Sequence, residues 1–524
     1  MAGKQNALPV ISRAEVAKHN KPDDAWIIID DKVYDVTKFA SLHPGGEKLL
    51  LDTAGTDQTK DFFGLHRLDV LLKYGPKLIK GTVEGAKPVK VETWKDFSSV
   101  PYSEPSNVRK GFVSPYYTEK HTAFRKAVRE ILDRDVRAWA NQAETSNEYP
   151  SLELFQKLGQ SGIIAALTGR GHHLKYGPAL PGGIKAEEYD IFMEGIVHEE
   201  LGRLAAPGAT DSLCAGMVIS FPVTAEFGFK DETIFPRLAQ EILSGNKRIC
   251  LAVTEPFAGS DVANVRMTAV KSADGSHYIL NGVKKWITGG FTADYFVTLA
   301  RTGGSGAGGL SYFLVPRCEG LETKQITTAY SKSAGTSLVI YENVKVPAEY
   351  LIGGEENQGF VQAMQNFSKE RWLICARMLS ISRFTVAECW KWALQREVFG
   401  KPLITQPIIQ FKLAEMSARL EAAQNWYENI TYQMSRMTFI EQGTLLSGPI
   451  ALLKYEITRI GSLIADQAPQ IFGGRAITSS GMGITIERFC RASKFASILG
   501  GSEEVLSMQA VKLALKGFRT NARL

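Results

Sequence analysis

The 524-residue chain contains no uninterrupted apolar run near the roughly 20 residues that a membrane-spanning helix needs. Stretches such as Gly162 to Leu167 stop early, so no membrane span is expected. Cysteine is scarce and scattered: Cys214, Cys250, Cys318, Cys375, Cys389 and Cys490 include no C-x-x-C pair. That excludes a zinc or disulfide framework and predicts six packed, reduced thiols in an intracellular compartment. Charge of one sign is also weak. A net +6 from 61 basic and 55 acidic residues is far from a nucleic-acid footprint, yet suits a phosphate-bearing ligand. The opening MAGKQNALPVISRAEV has neither an apolar signal core nor an Arg-rich presequence. With 44% hydrophobic and 22% charged residues, the composition is that of an ordinary globular enzyme, too long for one core.

The stretch around which the rest is organised runs from Arg248 to Ala269, RICLAVTEPFAGSDVANVRMTA. Its strand-like Ile249 to Val253 breaks at Thr254-Glu255-Pro256 into small residues, Ala258-Gly259-Ser260-Asp261. Gly259 permits close approach of a ligand, and Thr254 and Ser260 offer hydroxyls. The phrase NGVKKWITGG follows from Asn281 to Gly290. Together the two phrases resemble the flavin-proximal signatures of acyl-CoA dehydrogenases. The resemblance implies that Val253, Thr254, Trp286 and Thr288 contact FAD, with Thr288 near the reactive flavin nitrogen, and that Ser260 faces a CoA ligand. Gly304 to Gly309 satisfies G-x-G-x-x-G, but a strand pattern rather than a helix follows it, so no dinucleotide-binding domain is expected.

The amino-terminal segment reads as a separate module. Trp26 to Asp30 and Lys32 to Val36 are short strand patterns, and a helical run is expected from Thr37 to the turn at Ser41-Leu42-His43-Pro44-Gly45-Gly46. A second histidine, His66, stands among aromatic and aliphatic neighbours. Two such imidazoles can grip a haem iron from both sides. The phrase WIIIDDKVYDVTKFASLHPGG resembles the cytochrome b5 signature, which implies haem b bound axially by His43 and His66 within an α+β domain at residues 8–84. A Lys-, Pro- and Ser-containing linker at 85–107 is expected to let this module swing.

Beyond the linker the pattern predicts an acyl-CoA dehydrogenase fold. A helical domain at 108–250 includes helices His121–Ala140, Leu152–Gly159 and Ala186–Leu201. A β-barrel-like strand domain at 251–353 and a helical bundle at 354–518 complete it. His172 and His173 lie in a Gly-rich loop, are expected near the surface, and match no metal spacing. Gln395 to Lys401 resembles the family's R-x-x-F-G-K segment, implying that Arg396 and Phe399 reach the flavin of a neighbouring subunit. Gln470-Ile471-Phe472-Gly473-Gly474 resembles the segment holding the adenosine end, so the resemblance implies a homodimer or homotetramer. Pro407 stands where the family usually has glutamine, a departure that removes an amide contact unless adjacent Gln406 replaces it.

Removing the α-proton of an acyl thioester requires a carboxylate in a dry pocket, with donors on the thioester oxygen. The usual terminal glutamate is replaced by Gly500 in Ile498-Leu499-Gly500-Gly501-Ser502. A subset of the family supplies the base from an earlier helix as an E-R pair, and Glu370-Arg371 matches it. Glu370 is therefore the expected base, Arg371 and Gly500 the expected substrate contacts, and Ser502 and Glu504 the expected cofactor contacts. Glu503 and Glu504 stand in reserve as bases. The reading is an FAD-dependent acyl-CoA dehydrogenase fused behind a haem module, in fatty or branched acyl-CoA oxidation, with electron transfer to the haem or to a partner protein. Its rivals are a flavin oxidase or monooxygenase on the same fold, and a haem electron carrier whose dehydrogenase half has lapsed. The ending Ala522-Arg523-Leu524 resembles a peroxisomal address, so the peroxisomal matrix is the expected location, otherwise the cytoplasm.

Overall fold

A computed structural model describes residues 8–86, 97–146 and 148–517. The terminal Ala522-Arg523-Leu524 and the middle of the expected linker lie outside the described residues. The first domain is a five-stranded sheet in the order β1-β5-β4-β3-β2, from β1 (Val10–Ile11), β2 (Asn20–Lys21), β3 (Asp24–Ile29), β4 (Lys32–Asp35) and β5 (Ile79–Val83). The β3–β4 hairpin turns on Asp30 and Asp31, both at left-handed φ, a backbone that short polar side chains tolerate in two-residue turns. Alternation along the strands sends Ile27, Ile29 and Tyr34 to one core and Ile28 and Val33 to the other. Four helices accompany the sheet: α1 (Arg13–Val16), α2 (Glu47–Asp52), α3 (Thr59–Leu65) and α4 (Leu68–Leu78). The helix expected from Thr37 does not form. The Thr37 hydroxyl and N–H both donate to the Asp35 carboxylate, and this local turn outcompetes the helix until a single 3-10 turn at Ala40–Leu42.

The second domain holds α5 (Glu119–Ile131), α6 (Arg137–Ala143), α7 (Leu152–Gln160), α8 (Ile163–Leu167), α9 (Ile191–Arg203), α10 (Pro207–Thr210), α11 (Gly216–Phe227) and α12 (Ile234–Leu243). The helix expected at Ala186–Leu201 is two pieces, a 3-10 turn at Ala186–Glu188 and then α9, whose start Asp190 fixes by accepting the Met193 N–H. Buried on every side, α9 carries Glu199 and Glu200, which Arg125 and Arg129 neutralise from α5. Arg129 also grips Glu104 at 2.7 and 2.9 Å, and lies over the Phe97 ring. The expected linker therefore already packs as part of this domain from residue 97. His173 is buried rather than superficial, hydrogen-bonded to Thr168 and Gly169, and burial pulls its pKa down to about 3.

The third domain is a seven-stranded sheet in the order β10-β9-β7-β8-β12-β11, with β6 alongside β9. Its strands are β6 (Ile249–Ala252), β7 (Thr268–Lys271), β8 (His277–Ile287), β9 (Tyr295–Arg301), β10 (Leu310–Pro316), β11 (Leu321–Gln325) and β12 (Ser337–Pro347). The end strands do not pair, so the sheet is open rather than a closed barrel. Gly304–Gly309 does lead into a strand, β10. The fourth domain is built on α13 (Gly359–Gln395), about 55 Å long at 1.5 Å per residue. A small hairpin of β13 (Glu397–Val398) and β14 (Lys401–Pro402) follows, then α14 (Pro407–Ser435), α15 (Phe439–Glu441), α16 (Ser447–Phe472), α17 (Ile484–Ile498) and α18 (Glu503–Gly517). Pro407 occupies the first turn of α14, where a missing N–H leaves no helical bond unmade. Cys214, Cys250, Cys375 and Cys389 are buried as expected, Cys490 is half-buried, and Cys318 is exposed, contrary to the expectation of six packed thiols.

The haem module does not hang free. Arg67, which begins α4, forms a 2.6 Å ion pair with buried Glu388 of α13, and Lys60 meets Glu397 at 2.8 Å. Gln395 also donates to the Phe63 carbonyl. Among the described residues no helix is long and apolar enough to cross a membrane.

Candidate active site and candidate haem site

The two signature phrases meet through one side chain. Lys284, fully buried in β8, donates to the Val253 carbonyl at 2.9 Å and to Glu255 at 2.8 Å. Glu255 accepts in addition the N–H groups of Arg266 and Met267, and the Lys285 N–H donates to the Thr254 carbonyl at 2.8 Å. Burial lowers the Lys284 pKa to about 8 against the opposing pull of Glu255. This clamp holds Val253 and Thr254 beside Trp286 and Thr288. Trp286 sits at φ 65° and is 52% exposed, an aromatic kept out of the core on a costly backbone conformation. A Cβ added at Gly259 would meet only Thr254, at 4.0 Å, so the loop carrying exposed Ser260 leaves an open shelf. A flat aromatic cofactor fits such a surface.

Glu370 lies about a third of the way along α13 and is buried. Burial raises its pKa to about 7, against the lowering pull of Arg371 and Lys454. Its carboxylate makes no hydrogen bond among the described residues, so it is free to take a proton. A Cβ placed on Gly500 would lie 3.5 Å from Glu370 Oε1 and 2.8 Å from Ile374 Cδ1, at φ +66°. A side chain at 500 would thus point toward the Glu370 carboxylate, with a methyl in ordinary contact and anything longer running into it. Arg371 is buried, and its Nε donates to the Gly500 carbonyl at 2.9 Å, so it shapes the Gly500 segment directly. The Gly500 N–H has no partner among the described residues, as an oxyanion donor requires. Lys454, buried in α16, donates to the Gly501 carbonyl at 2.8 Å from the other side. Of the reserve bases, Glu503 accepts from Thr458 at 2.8 Å, while Glu504 is exposed and held below the ordinary carboxylate range by backbone and Ser502 contacts. Ser502 receives the Val505 N–H.

The remaining cofactor residues are presented outward. Arg396 ends α13, and its side chain has no partner among the described residues. Phe399 is 94% exposed at φ 51° on the tip of the β13–β14 hairpin. Gln470 is exposed, and nothing lies within 4 Å of Cβ positions at Gly473 and Gly474. These groups do not close around one pocket within the chain.

In the first domain the His43 and His66 rings face each other with centroids 5.9 Å apart. His43 Nδ1 lies 3.1 Å from the Gly46 carbonyl and His66 Nδ1 lies 3.2 Å from the Phe62 carbonyl. A carbonyl only accepts, so both Nδ1 atoms carry protons and both Nε2 lone pairs are left for a metal. A Cβ at Gly45 would come within 2.7 Å of the His43 ring, which explains that glycine. Burial keeps the His66 pKa below its ordinary value. Leu42, Leu49, Leu65 and Leu72 remain exposed on the flanking helices, an apolar rim suited to a porphyrin. Among the described residues no cluster of three or more metal-ligating side chains occurs.

Sequence reasoning did not find Lys284, Lys454 or Arg67. Lys454 interrupts an apolar stretch, a signal that a lone buried cation leaves, whereas Lys284 stands beside Lys285 in a mixed segment and Arg67 left no signal.

The sequence matches the Acyl-CoA dehydrogenase C-terminal domain over residues 357–515, its middle domain over 250–344 and its N-terminal domain over 118–233. Residues 12–84 match the Cytochrome b5-like Heme/Steroid binding domain. An acyl-CoA dehydrogenase of Emericella nidulans is 34% identical over 440 residues, 82% of this chain and 98% of that one. One of Alternaria alternata is 32% identical over 416 residues, 78% of this chain and 93% of that one. The solved butyryl-CoA dehydrogenase of Megasphaera elsdenii superposes with a TM-score of 0.67 at 26% identity, covering 77% of this chain and all of that one. With a buried carboxylate facing a glycine, and these matches across all three of its larger domains, the chain belongs to the acyl-CoA dehydrogenase family and carries a cytochrome b5-like domain at its amino-terminal side.

Proposed function

We propose that the protein removes the α-proton of an acyl-CoA thioester with Glu370, in an FAD-dependent α,β-dehydrogenation. The observation that carries this reading is that Gly500 faces the buried Glu370 carboxylate. The glycine removes a side chain where the glutamate arrives, and burial tunes that glutamate to about 7, near the operating pH of a general base. The Gly500 N–H is free to hold the thioester oxygen as enolate charge develops, and Arg371, bonded to the Gly500 carbonyl in the next peptide unit, restrains the turn that carries it. FAD, when bound against Thr254, Trp286 and Thr288, supplies the acceptor for the β-hydride. The unpartnered Arg396 and exposed Phe399 support a homo-oligomer in which one subunit completes the cofactor site of another. Haem b, when held by His43 and His66, supplies a one-electron acceptor docked on the same chain, and a separate electron-transfer protein is the other recipient.

The test is anaerobic bleaching of flavin absorbance by a panel of acyl-CoAs, for the native chain and Glu370→Gln. Bleaching lost in the variant with flavin retained supports the assignment. Bleaching that survives removes Glu370 from the base's role.

A further inference from the structure

Behind Glu370 a cavity of about 90 Å³ runs between α9, α13 and α17. Ile374 and Leu499, neighbours of Glu370 and Gly500, line its near part, and the walls along Met378, Ile381 and Phe489 are apolar. On a measure where one water needs ~10–15 Å³, it holds on the order of six heavy atoms beyond the reacting carbons. A plain hydrocarbon chain would call for an apolar end. Instead the lining includes Arg377, one α-helical turn past Ile374, and Asp211, the first residue of a π-helical turn between α10 and α11.

Arg377 is only partly matched. Its Nε donates to His198 Nδ1 at 3.2 Å, one Nη donates to Asp211 at a long 3.4 Å, and the other to the Cys214 sulfur at 3.1 Å. A guanidinium has five N–H donors, and a sulfur is a weak acceptor for one of them. His198 is fully buried with its pKa driven well down, mainly by burial and then by the Arg377 charge, so it is neutral. Asp211 cancels the Arg377 charge, leaving the pair neutral. The other hydroxyls of the wall are already donating: Thr210 to Pro207 and Ser493 to Cys490. The cavity therefore offers spare N–H donors from one source, with no net charge to welcome an anion.

We infer that this cavity selects acyl-CoA substrates whose chain carries a neutral oxygen acceptor, a keto or hydroxyl group, near its far end, and that Arg377 is the residue that reads it. The inference rests on the acyl-CoA dehydrogenase reading above. A hydrogen bond from a charged donor is stronger than a neutral one, so discrimination of roughly tenfold or more is expected.

The experiment uses the purified holoenzyme with an external electron acceptor dye. It compares kcat/KM for hexanoyl-CoA, 5-oxohexanoyl-CoA, 5-hydroxyhexanoyl-CoA and glutaryl-CoA, in the native chain, Arg377→Met and Arg377→Lys. The expected result is about a tenfold preference for the oxo or hydroxy substrate over hexanoyl-CoA, residing in KM. Arg377→Met should reverse that preference and Arg377→Lys retain part of it. A native preference for hexanoyl-CoA, or an oxygenated-to-plain ratio unchanged in both variants, overturns the inference. So does a preference for glutaryl-CoA, which would show that the site takes an anion. If none of the four thioesters, nor any other acyl-CoA, reduces the flavin, the dehydrogenase reading fails with it, whereas turnover without discrimination sinks the selectivity alone.

Discussion

Arg371 Nε donates to the Gly500 carbonyl oxygen at 2.9 Å, joining the helix that carries Glu370 to the glycine that faces it. Because a Cβ at 500 would lie 2.8 Å from Ile374 Cδ1 and the backbone there is at φ +66°, Gly500→Ala should both strain the turn and displace Ile374, one helical turn from Glu370. We expect a loss of about 1–3 kcal/mol in denaturant unfolding and at least a tenfold fall in the rate of flavin reduction. A variant as stable and as fast as the native chain would show that the turn facing Glu370 tolerates a side chain.

A base must be ionised, so kcat/KM should climb with pH through about 7, the value to which burial raises Glu370. Lys454 favours the carboxylate, so Lys454→Met should move this limb to higher pH. The same shift acts on stability. Between 4.5 and about 7 the unfolded chain releases this proton while the folded chain keeps it. The group's contribution to folding therefore falls as pH rises through that window and is level above it. Glu370→Gln should flatten that slope, as urea titrations across pH would read.

Lys284→Met would leave Glu255 charged in the interior. Removing one partner of a buried pair costs about 3–5 kcal/mol, and the midpoint of chemical unfolding should report it. A change below 1 kcal/mol would mean that the backbone N–H groups of Arg266 and Met267 satisfy Glu255 alone.

His66→Ala should abolish the Soret absorbance of the purified chain while the flavin bands persist, because the two sites lie in different domains. An intact Soret band of unchanged shape would remove His66 as an axial ligand.

Arg67→Ala leaves Glu388 without its 2.6 Å partner and should loosen the haem module. Limited proteolysis between residues 84 and 107 should accelerate, with flavin bleaching by acyl-CoA retained. Equal cleavage rates would show that Lys60–Glu397 and the Gln395 contact hold the module without it.

Much of the architecture was legible from local chemistry. Alternation from Trp26 to Asp35, the strand-to-loop break at Thr254-Glu255-Pro256 and the His43-Pro44-Gly45 turn are short-range signals, set by residues that touch their sequence neighbours. The misreadings also have local causes. Asp35 captured Thr37 and cancelled a helix, and Asp190 capped α9 late, so that two expected helices began in the wrong place.

The sequence by itself determined the order of domains and singled out, as candidates, the two signature phrases, the two histidines and the exchange of Gly500 for Glu370. Only the tertiary structure decided how those pieces act on one another. Burial, not residue type, raises Glu370 to about 7, and desolvation is a property of the packed neighbourhood. The clamp of Lys284 on Glu255, the clasp of Arg371 on Gly500, the docking of Arg67 on Glu388 and the Arg377–Asp211 pair at the end of the cavity all join residues far apart in the chain. No local pattern encodes such partners, because each contact exists only where separate helices and strands bring their buried polar groups within hydrogen-bonding distance.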